Sequence, residues 1–271
     1  MTDFDRRELN QETQSAWNAT AKLWDDRMGE KGNYFHQVVV WPGMEDLLEL
    51  KAGDRALEIG CGTGLVARRL ADRGINVLAC DFAPEMIRYA EARTHNNYGD
   101  RIQYKVLDAT DEAALLKLGE CSFDGAVSAM ALMDMAEIDP LLRSLAKLLK
   151  PGSCFVFAIS HPCFNNPHIK MVAELEDRAG ELVTEYSIKI PRYLQPSVAP
   201  GLAIENQEKP HLYFHRPLHL LFRAAFQAGF FLDGLEEPSF SPELTPGNSA
   251  LSWGGNFSQI PPVLVARLRL I

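Results

Sequence analysis

The sequence predicts an α/β fold built on a mostly parallel sheet. Three observations indicate it: short apolar runs alternate with helical stripes from residue 55 onward, acidic residues follow several of the runs, and a glycine-rich loop follows the first. Repeated strand–helix pairs require right-handed crossovers, which place parallel strands side by side. The chain has 271 residues, of which 46% are hydrophobic, so it can bury a full core.

The most informative segment covers residues 56–64, Ala-Leu-Glu-Ile-Gly-Cys-Gly-Thr-Gly. Its apolar start predicts a buried strand, and the residues after Gly64 repeat at helical spacing until Gly74. A strand, a glycine loop and a helix in this order let a nucleotide-like ligand approach the backbone. The glycine spacing is GxGxG, and Leu65 stands where the pyrophosphate fingerprint GxGxxG needs its third glycine. The loop therefore suits a nucleoside better than a dinucleotide.

Further elements follow from the same periodicities. Strands are predicted over residues 56–59, 76–80, 102–107, 125–130 and 154–159, with late strands at 230–235 and 262–268 that pair antiparallel at the sheet edge. Helices are predicted over the first 30 or so residues, after Pro42, from Pro84 to Ala92, over 138–149 and after Pro217.

The chain divides into four segments on this pattern. Residues 1–50 form an N-terminal helical cap, 51–161 a cofactor-binding α/β core, 162–215 an insertion after the fifth strand, and 216–271 the end of the core. The insertion carries several prolines and one alternating stretch from Leu182 to Ile190. Because a structureless loop of this length is unusual, we expect an ordered lid that covers the substrate.

Composition excludes several classes of partner. The formal net charge is −9 and the chain has no basic run, which disfavours a nucleic-acid partner. No apolar stretch is long enough to span a bilayer, and the polar N-terminus does not resemble a signal peptide. The five cysteines form no CxxC pair and are typical of reduced cytoplasmic thiols. We expect a cytoplasmic protein with a small-molecule partner and no membrane partner, and the pattern leaves its oligomeric state open.

Three acids end or flank successive strands. Glu58, Asp81 and Asp108 all fall at carboxyl ends, the edge where open α/β sheets bind ligands. Asp81 lies about twenty residues beyond the glycine loop, where a carboxylate can accept hydrogen bonds from ribose hydroxyls. Phe82 and Met86 are placed to form an apolar floor for a purine. Asp108 is placed to accept from an exocyclic amine.

Four motifs at these strand ends carry a family resemblance: Glu58-Ile-Gly-Cys-Gly-Thr-Gly64, Asp81-Phe-Ala-Pro-Glu-Met86, Leu107-Asp-Ala109 and Phe123-Asp-Gly-Ala-Val-Ser128. Together they resemble the class I S-adenosylmethionine-dependent methyltransferases over residues 50–160, and residues 235–238 and 260–263 resemble the end of small-molecule members. The resemblance implies a Rossmann-like, seven-stranded, mostly parallel sheet with a reversed last strand. It also implies S-adenosyl-L-methionine as the cofactor and S-adenosyl-L-homocysteine as its product.

The resemblance also implies which residues meet the cofactor. Gly60, Cys61 and Gly62 would approach its methionine part, and Glu58 would reach it through the loop or a water. Asp81 would hold the ribose and Asp108 the adenine amine. The other expected cofactor neighbours are Phe82, Met86, Ala109, Ala129, Met130 and, from the N-terminal helix, Trp24. For Trp17 we expect a core position on the same helix.

Removal of a proton from a hydroxyl or thiol acceptor calls for a general base, and an imidazole suits that task. His161 follows the fifth strand directly and is the first candidate, with His215 near the end of the insertion as the second. His211 and His36 are weaker candidates. The histidines show no metal-ligand spacing, so we expect no metal site.

Two other classes of function stay open. One is a nicotinamide-dependent Rossmann oxidoreductase, against which Leu65 and Glu58 argue. The other is a non-catalytic partner protein that keeps the cofactor pocket. Methylation of RNA or protein is a weaker idea, because the chain is acidic and Ser128-Ala-Met-Ala131 replaces the Asn/Asp-Pro-Pro-Tyr/Phe motif of amino-group methylators. Oxygen, sulfur, carbon and small-amine groups all remain possible methyl acceptors.

Overall fold

The structure, a computed structural model, describes residues 3–94, 97–244 and 249–271. The strands are β1 (Arg55–Ile59), β2 (Asn76–Asp81), β3 (Ile102–Val106), β4 (Phe123–Ala129), β5 (Leu149–Ser160), β6 (Lys170–Arg178), β7 (Glu181–Lys189), β8 (Ser197–Gly201), β9 (His211–His215), β10 (Phe230–Glu236) and β11 (Val263–Leu270). The α-helices are α1 (Asp3–Met28), α2 (Trp41–Leu47), α3 (Leu65–Asp72), α4 (Pro84–Thr94), α5 (Glu112–Leu116), α6 (Asp139–Leu148) and α7 (Leu218–Gln227).

In this described part of the chain, seven strands form one sheet in the order β10-β11-β5-β4-β1-β2-β3. The pairs among β1 to β5 are parallel. Strand β11 is antiparallel to both β5 and β10, so the last strand is the reversed one. The predicted seven-stranded, mostly parallel sheet with a reversed last strand is confirmed.

Apolar side chains on both faces of the sheet hold the layers together. Successive residues of a strand point to opposite faces. Leu57 and Ile59 of β1 therefore pack in the cluster that holds α6 and α7, whereas Ala56 packs in the cluster that holds α3. All three side chains are fully buried. Truncating Leu57 to alanine would cost about 2–5 kcal/mol of stability.

The long first helix lies across the carboxyl edge of the sheet. Asn10 of α1 donates to the Thr110 hydroxyl at 2.8 Å, and its side-chain oxygen accepts the Ala136 N–H at 3.0 Å. Gln14, one turn later, donates to the Phe82 carbonyl at 2.6 Å. These bonds reach the segments that follow β2, β3 and β4. They fix α1 as a wall over the edge where those strands end.

Local structure departs from the prediction in three places. A π-helix, His36–Val40, precedes α2, and the short helix α5 had no clear periodic signal. Strand β5 begins at Leu149, earlier than predicted, because the chain leaves α6 directly into extended backbone. The described residues include no helix that is both long and apolar enough to span a membrane.

The predicted insertion contains four strands, of which the sequence indicated one. Strands β6 and β7 form an antiparallel hairpin that is exposed along most of its length, and β8 pairs with β9 in a second hairpin. Strand β9 packs against α1 and against the turn after β4. The second hairpin, rather than the first, therefore approaches the carboxyl edge of the sheet.

Candidate functional site

The loop between β1 and α3 needs glycine at three positions. Gly60, Gly62 and Gly64 have φ angles of +67°, +52° and +78°, in the left-handed region that side chains with a Cβ disfavour. A Cβ on Gly60 would collide with Ala131, and one on Gly64 would collide with the Tyr104 hydroxyl. At Gly62 the nearest atom would be Trp24 Nε1 at 3.5 Å. The loop backbone is thus exposed to a ligand at its middle glycine.

Asp81, at the end of β2, ties the glycine loop to the start of α4. Its Oδ2 accepts the Gly62 N–H at 2.9 Å, and its Oδ1 accepts the Ala83 N–H at 2.9 Å. The side chain is buried, and burial raises its pKa to about 6 although the backbone N–H groups oppose the shift. An ionised carboxylate has about four lone-pair sites, so both oxygens can accept further bonds from a ligand.

An inner cavity of about 90 Å³ opens beside this carboxylate. Most of the predicted cofactor residues line it, namely Gly60, Gly62, Asp81, Phe82, Met86, Asp108, Ala109, Ala129, Met130 and Trp24. The prediction did not include the other lining residues, which are Asn10, Trp17, Leu107, Thr110, Ala131, Asp134 and Met135. The structure thus brings the loop glycines, two strand-end acids and an apolar floor to one place.

Glu58 and Cys61 are not among the lining residues. Glu58 is 2% exposed and accepts the Ala67 N–H at the start of α3. Burial raises the pKa of Glu58 to about 8, although the positive charge of Arg68 opposes this shift. The Cys61 side chain packs in the core, where burial raises the pKa of its thiol. Both side chains support the loop from beneath, and only the loop backbone can carry their effect to a ligand.

Asp108, which follows β3, is oriented by its neighbour. Its Oδ1 accepts both the backbone N–H and the hydroxyl of Thr110, each at 2.8 Å. The Thr110 hydroxyl in turn accepts from Asn10 of α1. This chain of bonds fixes the carboxylate at the cavity wall and leaves lone pairs for a donor in the cavity.

An outer cavity of about 420 Å³ adjoins the inner one. Its size falls in the range of small-molecule sites in proteins. Most of its wall is aromatic, aliphatic or thioether, from Trp17, Trp24, Phe35, Met130, Leu132, Met133, Ile159, Pro162, Pro167, Leu202, Ala203, Tyr213, Phe214, Leu221 and Trp253. Its polar lining residues are Asn33, His36, Asp134, Ser160, Asn165, Asn166, His215 and Arg216.

Four residues line both cavities: Trp17, Trp24, Met130 and Asp134. The two indoles meet edge to face with ring centroids 5.3 Å apart. Met130 has a φ of +57°, and its N–H is held by the Ala158 carbonyl at 2.8 Å. Such a conformation costs about 1–3 kcal/mol and is enriched at functional sites. We call these four residues the shared wall.

The place of Trp17 differs from the prediction. Trp17 is 9% exposed and packs in a small cluster with α4, as a core residue would. It also lines both cavities, which the expectation of a purely core position did not include. Its helical spacing indicated burial correctly, but spacing carries no information about what lies on the far side of a buried ring.

His161 is engaged by the protein on both ring nitrogens. Its Nδ1 accepts the Cys163 N–H at 3.1 Å, so Nε2 carries the proton and donates to Glu237 Oε1 at 2.8 Å. The residue is 1% exposed and is not among those that line either cavity. This geometry favours a structural role, in which the ring joins the end of β5 to the segment after β10.

His215 lines the outer cavity with its proton position fixed. Its Nε2 donates to the Tyr193 carbonyl at 2.7 Å, which leaves the lone pair on Nδ1. Burial lowers the pKa of this imidazole, so it is neutral near pH 7. A neutral ring with a lone pair can accept a hydrogen bond or a proton from a molecule in the cavity.

His36, at the start of the π-helix, is the second neutral imidazole in this wall. The side-chain Oδ1 of Asn33 accepts the backbone N–H of His36 at 3.0 Å, so this atom is the amide oxygen. The ring Nδ1 of His36 lies 2.8 Å from the same oxygen and is therefore a donor. The lone pair therefore lies on Nε2. Burial lowers the pKa of His36 to about 4.

Arg216, which precedes α7, holds the turn that carries Asp134. Its guanidinium donates to the carbonyls of Leu132, Met135 and Phe214. Burial lowers its pKa to about 10, so it stays protonated at neutral pH. The sequence offered no sign of this role because the acceptors are backbone groups distant in the chain.

Residues 57–157 match the model of a protein family described as a methyltransferase domain. A demethylmenaquinone methyltransferase of Paenarthrobacter aurescens is 30% identical over 118 residues, which is 43% of either chain. A ubiquinone biosynthesis O-methyltransferase of Xanthomonas axonopodis pv. citri is 35% identical over 105 residues, 37% of this chain and 41% of that protein. The chain thus aligns with about two-fifths of the length of these curated relatives.

A solved structure to which the chain is similar is matched over nearly all of its own length. It is an S-adenosylmethionine-dependent methyltransferase from Mesorhizobium loti, with a TM-score of 0.62 and 25% identity over 84% of this chain and 96% of that one. The domain match covers β1 to β5, where the glycine loop and the strand-end acids lie. The nicotinamide alternative is thereby set aside. The domain match, the sheet topology and the structural neighbour show that the chain carries a methyltransferase domain and shares the fold of S-adenosylmethionine-dependent methyltransferases.

Proposed function

We propose that this protein transfers a methyl group from S-adenosylmethionine to a small-molecule acceptor held in the outer cavity. The observation that carries the proposal is the shared wall, because it places two cavities side by side at the carboxyl edge of a methyltransferase sheet. When bound, the cofactor supplies an electrophilic methyl group on a sulfonium. The chain must align an acceptor atom with that methyl and exclude water.

The groups that line the inner cavity match the nucleoside part of this cofactor in their chemistry. Asp81 accepts the ribose hydroxyls in addition to the two backbone N–H groups it already holds. Phe82 and Met86 flank the adenine, and Asp108 accepts from its amine. Gly60 and Gly62 let the methionine part approach the backbone, since a side chain at either position would be strained. The chemistry of the two carboxylates supports this arrangement, because Asp81 and Asp108 are hydrogen-bond acceptors and the ribose hydroxyls and the adenine amine are donors.

The outer cavity is proposed as the acceptor site, and the predicted insertion as part of its cover. Residues 162–167 and 202–215 of the insertion contribute lining side chains, whereas the exposed hairpin at 170–189 contributes none of those described. The cover thus comes from the two ends of the insertion. His215 and His36 present lone pairs in this wall and are proposed to orient polar groups of the acceptor.

A small molecule is favoured over a macromolecule by the size and polarity of this site. The cavity of about 420 Å³ has room for an aromatic ring system with a few polar substituents. The two curated relatives described above are named for methyltransfer in demethylmenaquinone and ubiquinone biosynthesis. Those names favour an acceptor that, like the cavity wall, is largely apolar.

The test is a transfer assay with methyl-labelled S-adenosylmethionine and a pool of small phenols, amines and thiols. We expect label in the small-molecule fraction, with S-adenosylhomocysteine released in equal amount. Label in protein or RNA would contradict a small-molecule acceptor. Tight S-adenosylhomocysteine binding with no transfer to any acceptor would favour the non-catalytic partner. The Asp81→Ala variant is the control for cofactor-dependent transfer.

A further inference from the structure

Asp134 is the one ionisable residue of the shared wall. It ends the short turn after β4, is 8% exposed, and borders both cavities. Its Oδ1 is shielded from water and has no hydrogen-bond partner among the described residues. A buried carboxylate oxygen without a partner is costly, so its retention at this position needs a reason.

His211, from β9, brings a ring nitrogen toward that oxygen, while the carboxylate also accepts a hydrogen bond from the Trp17 side chain. Nε2 of His211 lies 3.7 Å from Asp134 Oδ1, beyond hydrogen-bond distance, and has no other partner among the described residues. The His211 side chain is fully buried, and its ring packs on Trp17 at a centroid distance of 4.6 Å and an interplanar angle of 30°. A hydrogen-bond donor and an acceptor, both shielded from solvent, therefore face each other beside the shared wall.

Gln207 sets the proton position on this imidazole. Its Oε1 accepts the Ala203 N–H at 2.9 Å, so its Nε2 is a donor and points at His211 Nδ1 at 3.1 Å. With Nδ1 occupied as an acceptor, the ring proton lies on Nε2, toward Asp134. Burial lowers the pKa of His211 to about 4, which keeps the ring neutral. The ring therefore directs an N–H dipole toward the carboxylate from 3.7 Å and, being neutral, adds no positive charge beside it.

We propose, resting on the function above, that Asp134 accepts the proton of a hydroxyl carried on an aromatic ring in the outer cavity, at the carboxylate oxygen other than the shielded Oδ1. His211 and Gln207 position the carboxylate from the Oδ1 side. The acceptor oxygen forms a bond to the methyl carbon. The carbon–sulfur bond breaks with its electron pair remaining on sulfur, and the hydroxyl proton passes to the carboxylate. The positive sulfonium and the negative carboxylate thus become neutral together, which a water-excluded site favours.

The surroundings favour this acceptor class for two reasons. Trp17, Trp24, Phe35 and Trp253 offer flat apolar surfaces to a ring. Burial raises the pKa of Asp134 well above its ordinary value, which makes its carboxylate a stronger proton acceptor. The positive charge of the bound cofactor favours the ionised form needed at the start of the step.

The experiment compares the parent, Asp134→Asn, His211→Gln and an exposed control, Asp46→Asn. S-adenosylhomocysteine binding is measured first by calorimetry, and the same complex is then titrated with an alkylphenol and with a nitrophenol that is ionised at the assay pH. Methyl transfer to both phenols is followed by S-adenosylhomocysteine release.

If Asp134 takes the proton, Asp134→Asn lowers kcat for the alkylphenol by about 100-fold or more. Transfer to the nitrophenolate changes by less than about fivefold, because this acceptor has no proton to lose. His211→Gln shows the same selective loss at smaller size, and Asp46→Asn shows none. This selectivity is the readout that a merely structural role would not produce.

Equal losses for the two phenols would overturn the proposal, as would S-adenosylhomocysteine binding without binding of either phenol. If Asp134→Asn does not fold, the His211→Gln comparison decides in the same way. A parent protein that does not bind S-adenosylhomocysteine would instead refute the proposed function, so the two failures are distinguishable.

Discussion

The carboxylate of Asp81 accepts the backbone N–H of Gly62 at 2.9 Å, and this bond joins the end of β2 to the middle of the glycine loop. The same carboxylate holds the Ala83 N–H before α4. One buried side chain therefore fixes the loop that would face the methionine part of the cofactor and stands where the ribose would lie. With the ribose bound as proposed, loop geometry and ribose binding would be coupled through this side chain.

Replacing Asp81 by asparagine should weaken S-adenosylhomocysteine binding by about 10- to 100-fold. The variant keeps the size of the side chain but loses the charge, and charge-assisted hydrogen bonds are worth about 1.5–3 kcal/mol each. Calorimetric titration measures the change, with Glu85→Gln on α4, a partly exposed residue that lines neither cavity, as the matched control. Equal affinities for the parent and Asp81→Asn would refute the ribose assignment.

Cofactor affinity should rise with pH between about 5 and 6 and then level off, because burial raises the Asp81 pKa to about 6. Hydrogen bonds from ribose hydroxyls favour the ionised carboxylate, so each pH unit below this pKa costs up to about tenfold in affinity. Glu58 stays protonated over this range because its pKa is raised to about 8.

Titrations of S-adenosylhomocysteine at several pH values measure this dependence. Asp81→Asn cannot titrate at that position and should show a flat profile. A parent profile that is equally flat, or one that falls as pH rises, would show that the Asp81 charge does not contribute to binding.

Gly60→Ala should destabilise the fold and close the inner cavity. The left-handed backbone costs a residue with a Cβ about 1–2 kcal/mol, and the clash with Ala131 adds about 1–3 kcal/mol. Gly53→Ala is the matched control, since its φ is +93° but a Cβ there would have no neighbour within 4 Å. Urea denaturation gives both free energies of unfolding. Equal losses of unfolding free energy for the two variants would show that Ala131 can move away from the added methyl group at no cost in stability.

His161→Gln should lower stability by about 1–3 kcal/mol, because the Cys163 N–H and the Glu237 carboxylate lose a well-placed partner. We expect kcat per folded molecule to stay close to that of the parent, since the ring does not line the acceptor cavity. Denaturation and turnover are measured on the same samples. A stable variant with a large loss of kcat would restore His161 as the general base.

The sheet and the inner cavity were predictable because their signals are local. Short apolar runs buried on both faces identify parallel strands, and the residues that follow them, such as Asp81 and Asp108, meet at one edge by topology alone. Gly60 and Gly62 are needed for backbone conformation, which a sequence motif records directly.

The acceptor side was harder to predict because its contacts join segments far apart in the chain. Nothing local to Asp134 or His211 indicates that they face each other across 3.7 Å. His161 followed a strand end, as a catalytic base would, but its ring turns toward Glu237. The hairpin β6–β7 escaped prediction in part because its exposed faces show little apolar alternation.

The central claim is that the glycine loop and Asp81 bind the nucleoside of S-adenosylmethionine. Its most direct test is calorimetric titration of the purified protein with S-adenosylhomocysteine, with NADH titrated as the control. We expect saturable, micromolar binding of S-adenosylhomocysteine alone. Failure to bind it, or a preference for NADH, would contradict the cofactor assignment and every residue role built on it.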